Sequence, residues 1–128
     1  MQLVDTHTHL DDPRFDNDRD AVIARALQCG ISHLVVPAVV ADGWHRIGHL
    51  CRRHPELRPA YGLHPMFMAA HGEEDIEALA GWLEREPAVA VGECGLDFFI
   101  PDPDRKAQQA LFEAQLELAD RFRLPVII

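Results

Sequence analysis

The chain has 128 residues, of which 48% are hydrophobic and 26% charged, so it can bury a core as one globular unit, residues 1–128. Twelve basic and 21 acidic side chains give a net charge of −9, which argues against tight, non-specific binding of a polyanion through a basic surface. The three cysteines form no C-x-x-C pair, and neither a signal peptide nor a membrane-spanning apolar run is present. We therefore expect a reduced, cytoplasmic protein without membrane contact.

Short apolar segments alternate with longer amphipathic segments along the chain. Strands are predicted at residues 2–6, 32–38, 59–63, 88–92 and 124–128. Each is nearly all apolar and bounded by glycine or proline, as is typical of strands buried on both faces. Helices are predicted at about residues 18–29, 44–51, 73–83 and 104–122. The alternation predicts right-handed crossovers and a parallel sheet.

The number of these elements indicates an α/β fold of the TIM (β/α)8 barrel type. Five strands and four helices are about half of such a barrel, which takes about 250 residues. The chain stops inside a buried-strand pattern at residues 124–128. A complete open sheet ending on an edge strand is one explanation, and a barrel of which this chain is the N-terminal half is the other. We favour the half-barrel, whose exposed apolar faces and strand edges would make self-association possible.

A histidine pair follows the first predicted strand. Asp5, His7 and His9 alternate along the chain, so they project from one face, which at the carboxyl end of a barrel strand points to the active-site mouth. Two imidazoles separated by one residue can bind a single cation, and Asp5 can orient one of them. A polar strand end that meets solvent would explain the same residues, because short motifs often match by chance.

A carboxylate follows the fourth predicted strand. Glu93 lies between glycines that allow backbone or ligand to approach closely. It can reach the same mouth as His7 and His9 and bridge two metals there, or it can be a loop acid in a tight turn. Asp97 is either a further polar group of this site or a local cap of the loop.

A third polar residue, His64, ends the third predicted strand. Pro65 biases it towards an extended conformation and so fixes the direction of its side chain. His64 either donates a hydrogen bond to a substrate anion or supports its loop. The placement of all three polar segments at the same end of successive strands favours a functional site.

Four segments together resemble the TatD family of metal-dependent deoxyribonucleases. They are DTHTHLD at the start, GLHP after the third strand, VGECGLDFF after the fourth, and the fourth-helix pattern that runs from Arg105 through Gln108, Phe112 and Gln115 to Leu124-Pro125-Val126. The resemblance covers the whole chain in order. It implies a barrel hydrolase that cleaves phosphodiester bonds of DNA, a weakly bound substrate, with one or two divalent metal ions such as Mg²⁺, Mn²⁺ or Zn²⁺.

The resemblance also implies roles for individual residues. His7 and His9 would be ligands of one metal, and Glu93 a catalytic ligand shared between two metals. His64 and Asp97 fall at motif positions near the site, where they would contact substrate. Further family ligands follow the fifth, sixth and eighth strands, at positions beyond residue 128, so we expect this chain alone to be a poor nuclease.

Two other functions stay open at this point. One is an amidohydrolase that cleaves C–N bonds, since a histidine pair on the first strand suits any metal-dependent barrel hydrolase. Those enzymes commonly bridge their metals with a carboxylated lysine on the fourth strand, whereas this chain has Glu93 there and its only lysine, Lys106, in the fourth helix. The other is a non-catalytic interaction fragment.

Overall fold

The computed structural model describes residues 2–128. Its regular elements are β1 (Leu3–Asp5), α1 (Arg19–Gln28), β2 (Ile31–Pro37), α2 (Trp44–Arg53), β3 (Leu57–Tyr61), α3 (Asp75–Arg85), β4 (Ala90–Val91) and α4 (Arg105–Phe122). Three short 3-10 helices, at Pro13–Phe15, Ala41–Gly43 and Pro65–Ala70, follow β1, β2 and β3. The strands form one parallel sheet in the order β1-β2-β3-β4, as the alternation of elements predicts.

Helix α4 shows how the local sequence sets the bounds of an element. The Asp104 carboxylate accepts a hydrogen bond of 3.0 Å from the Ala107 amide, which satisfies one of the free donors at the helix start. The helix ends where Arg123 adopts a left-handed backbone with φ of 53°. Its buried face, Gln108, Gln115, Leu118 and Ala119, lies towards the sheet and the neighbouring loops.

The core lies between the sheet and the helices that cover it. Ile47 of α2 and Leu79 of α3 are fully buried, as are Val36 of β2 and Tyr61 of β3. The rings of Tyr61 and Trp82 meet edge to face with centroids 5.7 Å apart, a geometry that adds to the gain from burial. This packing holds α2 and α3 on one side of the sheet.

The fifth predicted strand is shorter than expected. Val126 forms a parallel bridge with Val91. The Ile127 amide donates to the Val91 carbonyl and the Val91 amide donates to the Pro125 carbonyl, each at 2.9 Å. The Cys94 amide also donates to the Ile127 carbonyl at 3.0 Å, which continues the pairing beyond the two residues of β4. The parallel direction of the fifth segment is as predicted.

The sheet curls strongly between β1 and β4. In a flat sheet β2 and β4 would lie about 10 Å apart, at about 4.8 Å for each of two spacings. Instead, the backbone amide of Glu93, after β4, reaches past β3 and donates to the Ala38 carbonyl that follows β2, at 3.0 Å. The curl also lets the side chains of His7 after β1 and Glu93 after β4 meet, with His7 Nε2 3.0 Å from Glu93 Oε2. A curled parallel sheet with helices outside it is the N-terminal part of a β/α barrel, which confirms the predicted fold class.

The first strand is less buried than the sequence predicts. Leu3 and Val4 are 45% and 53% exposed, so the expectation that every strand is buried on both faces is wrong for β1. Within residues 2–128, β1 pairs with β2 alone, and its outer edge is open. Ile128, at the other end of the sheet, is 80% exposed. Self-association through these edges stays a prediction. Across the described residues, none of the helices combines the length and apolarity that a membrane crossing requires.

Candidate metal centre

Two imidazoles and one carboxylate converge at the carboxyl ends of β1 and β4. His7 Nε2 lies 3.0 Å from Glu93 Oε2, His9 Nε2 lies 3.5 Å from the same oxygen, and the two Nε2 atoms are 3.3 Å apart. The side chains of His7 and His9 are 39% and 42% exposed, and that of Glu93 is 19% exposed. The three donor atoms therefore face one point that solvent can reach.

The spacing of these atoms fits a single cation. Ligand atoms bound at about 2.0–2.1 Å lie roughly 3.3 Å apart around a tetrahedral ion and roughly 3.0 Å apart around an octahedral one. The three separations of 3.0, 3.3 and 3.5 Å lie close to those values. Imidazole nitrogen and carboxylate oxygen are also ligands that Zn²⁺ and Mn²⁺ accept. The residues thus fit the metal that the sequence resemblance implies, as a three-ligand group.

Close packing of two glycines brings Glu93 to this point. A Cβ atom built on Gly62, at the end of β3, would lie 2.6 Å from the backbone of Gly92. Gly92 itself has φ of +141°, which other residues rarely adopt. The β3 and β4 chain ends can therefore touch, and the residue after Gly92 is directed into the mouth of the curled sheet.

We predict that Gly62→Ala lowers the free energy of unfolding by about 2–3 kcal/mol, because the new methyl group meets backbone that cannot rotate away. The measurement is urea unfolding followed by circular dichroism. Gly43→Ala is the matched control, since its Cβ meets nothing within 4 Å and its backbone is right-handed helical. Equal stabilities of the two variants would contradict the close approach of β3 and β4.

His64 lies against the second oxygen of Glu93. Its Nε2 is 3.2 Å from Glu93 Oε1, and its Nδ1 accepts a hydrogen bond of 3.0 Å from the Met66 amide. Because Nδ1 accepts, the proton of the neutral ring is on Nε2, where it is donated to the carboxylate. His64 thus orients Glu93, and contact with a substrate anion stays a prediction. The bond from the Met66 amide also shows His64 supporting the 3-10 helix that follows it, which is the other role that the sequence left open.

The two other predicted acids make local contacts. Asp97 Oδ1 accepts from the Phe99 amide at 3.0 Å, as a loop cap does, and its role towards substrate stays a prediction. Asp5 Oδ1 accepts from the His7 backbone amide at 3.1 Å, so it fixes the chain before the histidine pair and does not orient an imidazole ring.

Two buried glutamines of α4 hold the site loops, and sequence reasoning did not give them this role. Gln115 Oε1 accepts from the Leu63 amide at 2.8 Å, and its Nε2 donates to the Leu63 carbonyl at 3.0 Å. Gln108 forms the same pair of bonds with Asp97, at 2.8 and 2.9 Å. Both side chains are fully buried. Their signal in the sequence is a pair of side-chain amides seven residues apart in the apolar stripe of a helix. A buried amide needs hydrogen-bond partners, so this pattern indicates a structural role.

A cleft of about 390 Å³ opens beside the three donor atoms. His9, His64 and Glu93 line it together with Asp11 and Phe67. Burial raises the pKa of Asp11 above its usual value, although the Arg46 guanidinium and His9 act in the opposite direction. Sequence reasoning missed Asp11, whose distance from His9 depends on how the chain turns after the histidine pair.

Cys94 adjoins Glu93 but has the properties of a structural thiol. It is 3% exposed, and burial raises its pKa to about 11. Cys51 is half-buried, and burial raises its pKa to about 12. A neutral, covered thiol is a poor nucleophile, in agreement with the absence of any sequence signal for one here.

We predict that iodoacetamide at pH 8 modifies exposed Cys29 and spares Cys51 and Cys94, because their pKa values, raised to about 12 and about 11, keep both thiols protonated at that pH. Mass spectrometry of proteolytic peptides gives the modified fraction at each site. The same reaction in urea, where all three should react, is the control. Modification of Cys94 as fast as Cys29 in the folded chain would show that its thiol is accessible and ionised.

Comparisons with known proteins agree with this architecture. The profile of the family described as TatD related DNase matches residues 4–128. Over 129 residues the chain is 43% identical to "Uncharacterized metal-dependent hydrolase YjjV" of Escherichia coli (strain K12), covering 99% of this chain and 50% of that protein. It is 34% identical over 127 residues to "3'-5' ssDNA/RNA exonuclease TatD" of Erwinia tasmaniensis, covering 98% and 49%.

Crystal structures of related proteins match the fold. That of the TatD homologue YjjV from Escherichia coli superposes with a TM-score of 0.92 at 43% identity, over 97% of this chain and 49% of that chain. A TatD family hydrolase from Entamoeba histolytica gives a TM-score of 0.80 at 20% identity, over 98% and 48%, and shows the fold alone.

Fold and site together define a β/α-barrel protein with histidine and carboxylate donors at the strand ends. The chain belongs to the TatD related DNase family, which confirms the resemblance seen in its motifs. It spans about half the length of the curated relatives it matches.

Proposed function

We propose that His7, His9 and Glu93 bind a divalent cation in a nuclease site that hydrolyses phosphodiester bonds of single-stranded nucleic acid. The observation that carries the proposal is the convergence of three donor atoms on one point, 3.0 to 3.5 Å from one another. Membership of the TatD family supports it, as does the name of the Erwinia tasmaniensis relative, a 3'-5' exonuclease on ssDNA and RNA.

The chain's own residues have separate tasks in this proposal. A cation held there would supply Lewis acidity towards a phosphodiester oxygen and lower the pKa of nearby water. His7 and His9 present Nε2 atoms, and Glu93 presents Oε2 with its negative charge. His64 donates to the other oxygen of Glu93, which keeps Oε2 directed at the histidines.

The cleft beside the site fits an unstacked base. Phe67 is 39% exposed and Met66 is 54% exposed, and both line the cleft. An aromatic side chain beside the proposed metal site suits single strands, whose bases stack on such rings without sequence preference. The net charge of −9 weakens long-range attraction of DNA, and the bound cation would supply it locally.

The structure adds one observation against the amidohydrolase alternative. Lys106 is exposed at the start of α4, whereas the strand end that would carry a bridging lysine presents Glu93. The carboxylate in this place favours the phosphoesterase.

The test is degradation of 3'-labelled single-stranded DNA and RNA after EDTA treatment and addition of Mg²⁺, Mn²⁺ or Zn²⁺. The chain is measured alone and extended to the length of its relatives, and we expect weak activity alone and strong activity when extended. His7→Ala should lower the rate by at least about 100-fold, and His49→Ala, on an exposed position of α2, should not. Cleavage that survives EDTA, or equal rates in both variants, would refute the proposal.

A further inference from the structure

A carboxylate outside the three-ligand group lies beside His9. Asp11 Oδ1 is buried and has no hydrogen-bond partner among the described residues, which is costly for a carboxylate oxygen. The group that faces it is His9 Nδ1, at 3.9 Å. Asp11 and His9 also line the same cleft. A rotation that moves either side chain by roughly 1 Å would complete a hydrogen bond between them.

Two arginines fix the backbone that carries Asp11. Arg19 is 8% exposed and donates to the Leu10 and Asp12 carbonyls. Arg46 donates to the carbonyl of Asp11 itself. Helix α1 therefore holds the residues on both sides of Asp11, and α2 holds Asp11 itself. With its backbone fixed in this way, the side chain of Asp11 faces His9.

The two nitrogens of His9 have different surroundings. Nε2 faces the donor cluster, 3.3 Å from His7 Nε2 and 3.5 Å from Glu93 Oε2. Glu93 already has closer partners in His7 at 3.0 Å and His64 at 3.2 Å. To bind a cation, His9 Nε2 must present a lone pair, so the proton of the neutral ring must be on Nδ1. Nδ1 is the nitrogen that faces Asp11.

We propose that Asp11 is a positioning residue that accepts a hydrogen bond from His9 Nδ1–H and thereby holds His9 in the tautomer whose Nε2 binds metal. The effect of Asp11 on metal binding rests on the proposed metal site, whereas the tautomer of His9 rests on the Asp11–His9 geometry alone. Carboxylates that orient ligand histidines are typical of metal sites, and their loss commonly weakens metal binding by about 10- to 100-fold.

The first experiment reads the tautomer without metal. Long-range ¹H–¹⁵N correlation spectra of the metal-free chain at pH 8.5 should show His9 mainly as the Nδ1–H form. Asp11→Ala should shift His9 towards the Nε2–H form, with circular dichroism confirming the fold. If Asp11→Ala does not fold, Asp11→Leu, which is similar in size and has no acceptor, decides by the same spectrum. A wild-type His9 with its proton on Nε2, or an unchanged tautomer in the variants, would overturn the proposal.

The second experiment measures Zn²⁺ affinity by competition with a chelator. We expect Asp11→Ala to weaken binding by about 10-fold or more, and Asp12→Ala to leave it unchanged. Asp12 is the matched control, since it carries the same charge next along the chain and its carboxylate is hydrogen-bonded to Arg14. Equal affinities of the two variants would refute the positioning role. A wild-type chain that binds no Zn²⁺ but keeps the Nδ1–H tautomer would refute the metal site and leave the Asp11–His9 bond standing.

Discussion

Glu93→Gln is expected to weaken Zn²⁺ or Mn²⁺ binding by at least about 100-fold. Loss of a residue that only orients a metal ligand weakens binding by up to about 100-fold, and loss of a charged ligand should weaken it at least as much. The change keeps the shape of the side chain and removes its negative charge. Glu93 Oε2 is the atom that both His7 Nε2 and His9 Nε2 approach, at 3.0 and 3.5 Å. Without that charge, two neutral imidazoles are left to bind the ion.

Isothermal titration of the metal-free chain measures this effect. Glu117→Gln is the control, because it removes the same charge from an exposed position of α4. We expect its metal affinity to equal that of the unchanged chain. If Glu93→Gln and Glu117→Gln bind metal equally well, Glu93 is not a ligand and the site must lie elsewhere.

Gln115→Leu is expected to lower the free energy of unfolding by about 2–4 kcal/mol, because each buried polar group left without a partner costs about 1–3 kcal/mol. Leucine nearly matches glutamine in size but offers no polar atom. The Leu63 amide and carbonyl, both bonded to Gln115, would lose these partners in a buried place. Leu63 precedes His64, so the variant should also weaken the hold of His64 on Glu93.

Urea unfolding gives the free energy, and Gln109→Leu is the matched control on the same helix. Gln109 is exposed and donates only to the nearby Glu113 carboxylate, so its replacement should change stability by less than about 0.5 kcal/mol. A loss of stability in Gln115→Leu no larger than in Gln109→Leu would show that the amide pair with Leu63 contributes little.

Features written in neighbouring residues could be predicted from the sequence. Apolar spacing placed α4 over about residues 104–122, and the structure has Arg105–Phe122 with Asp104 as its cap. The order of strands and helices gave the parallel sheet. The alternation of His7 and His9 along the chain predicted that both face one point, and their Nε2 atoms lie 3.3 Å apart. The bounds of α4 and the spacing of the histidine pair depend on residues within a turn or two of one another, and the sheet follows from the order of such local patterns.

Features that depend on distant parts of the chain could not be predicted in the same way. The pairing of Gln115 with Leu63 spans 52 residues, and Asp11 faces His9 because Arg19 and Arg46 hold its backbone. The exposure of β1 follows from its edge position, which burial patterns in the sequence do not encode. Short 3-10 turns after three of the strands depend on loop contacts and lack a periodic signal.

The proposed function requires that His7, His9 and Glu93 bind one cation. Crystals of the chain soaked in Zn²⁺, with diffraction recorded on both sides of the zinc absorption edge, would locate that ion. We predict one anomalous peak within about 2.0–2.3 Å of His7 Nε2, His9 Nε2 and a Glu93 carboxylate oxygen. A zinc peak bound elsewhere, with these three atoms turned apart, would contradict it.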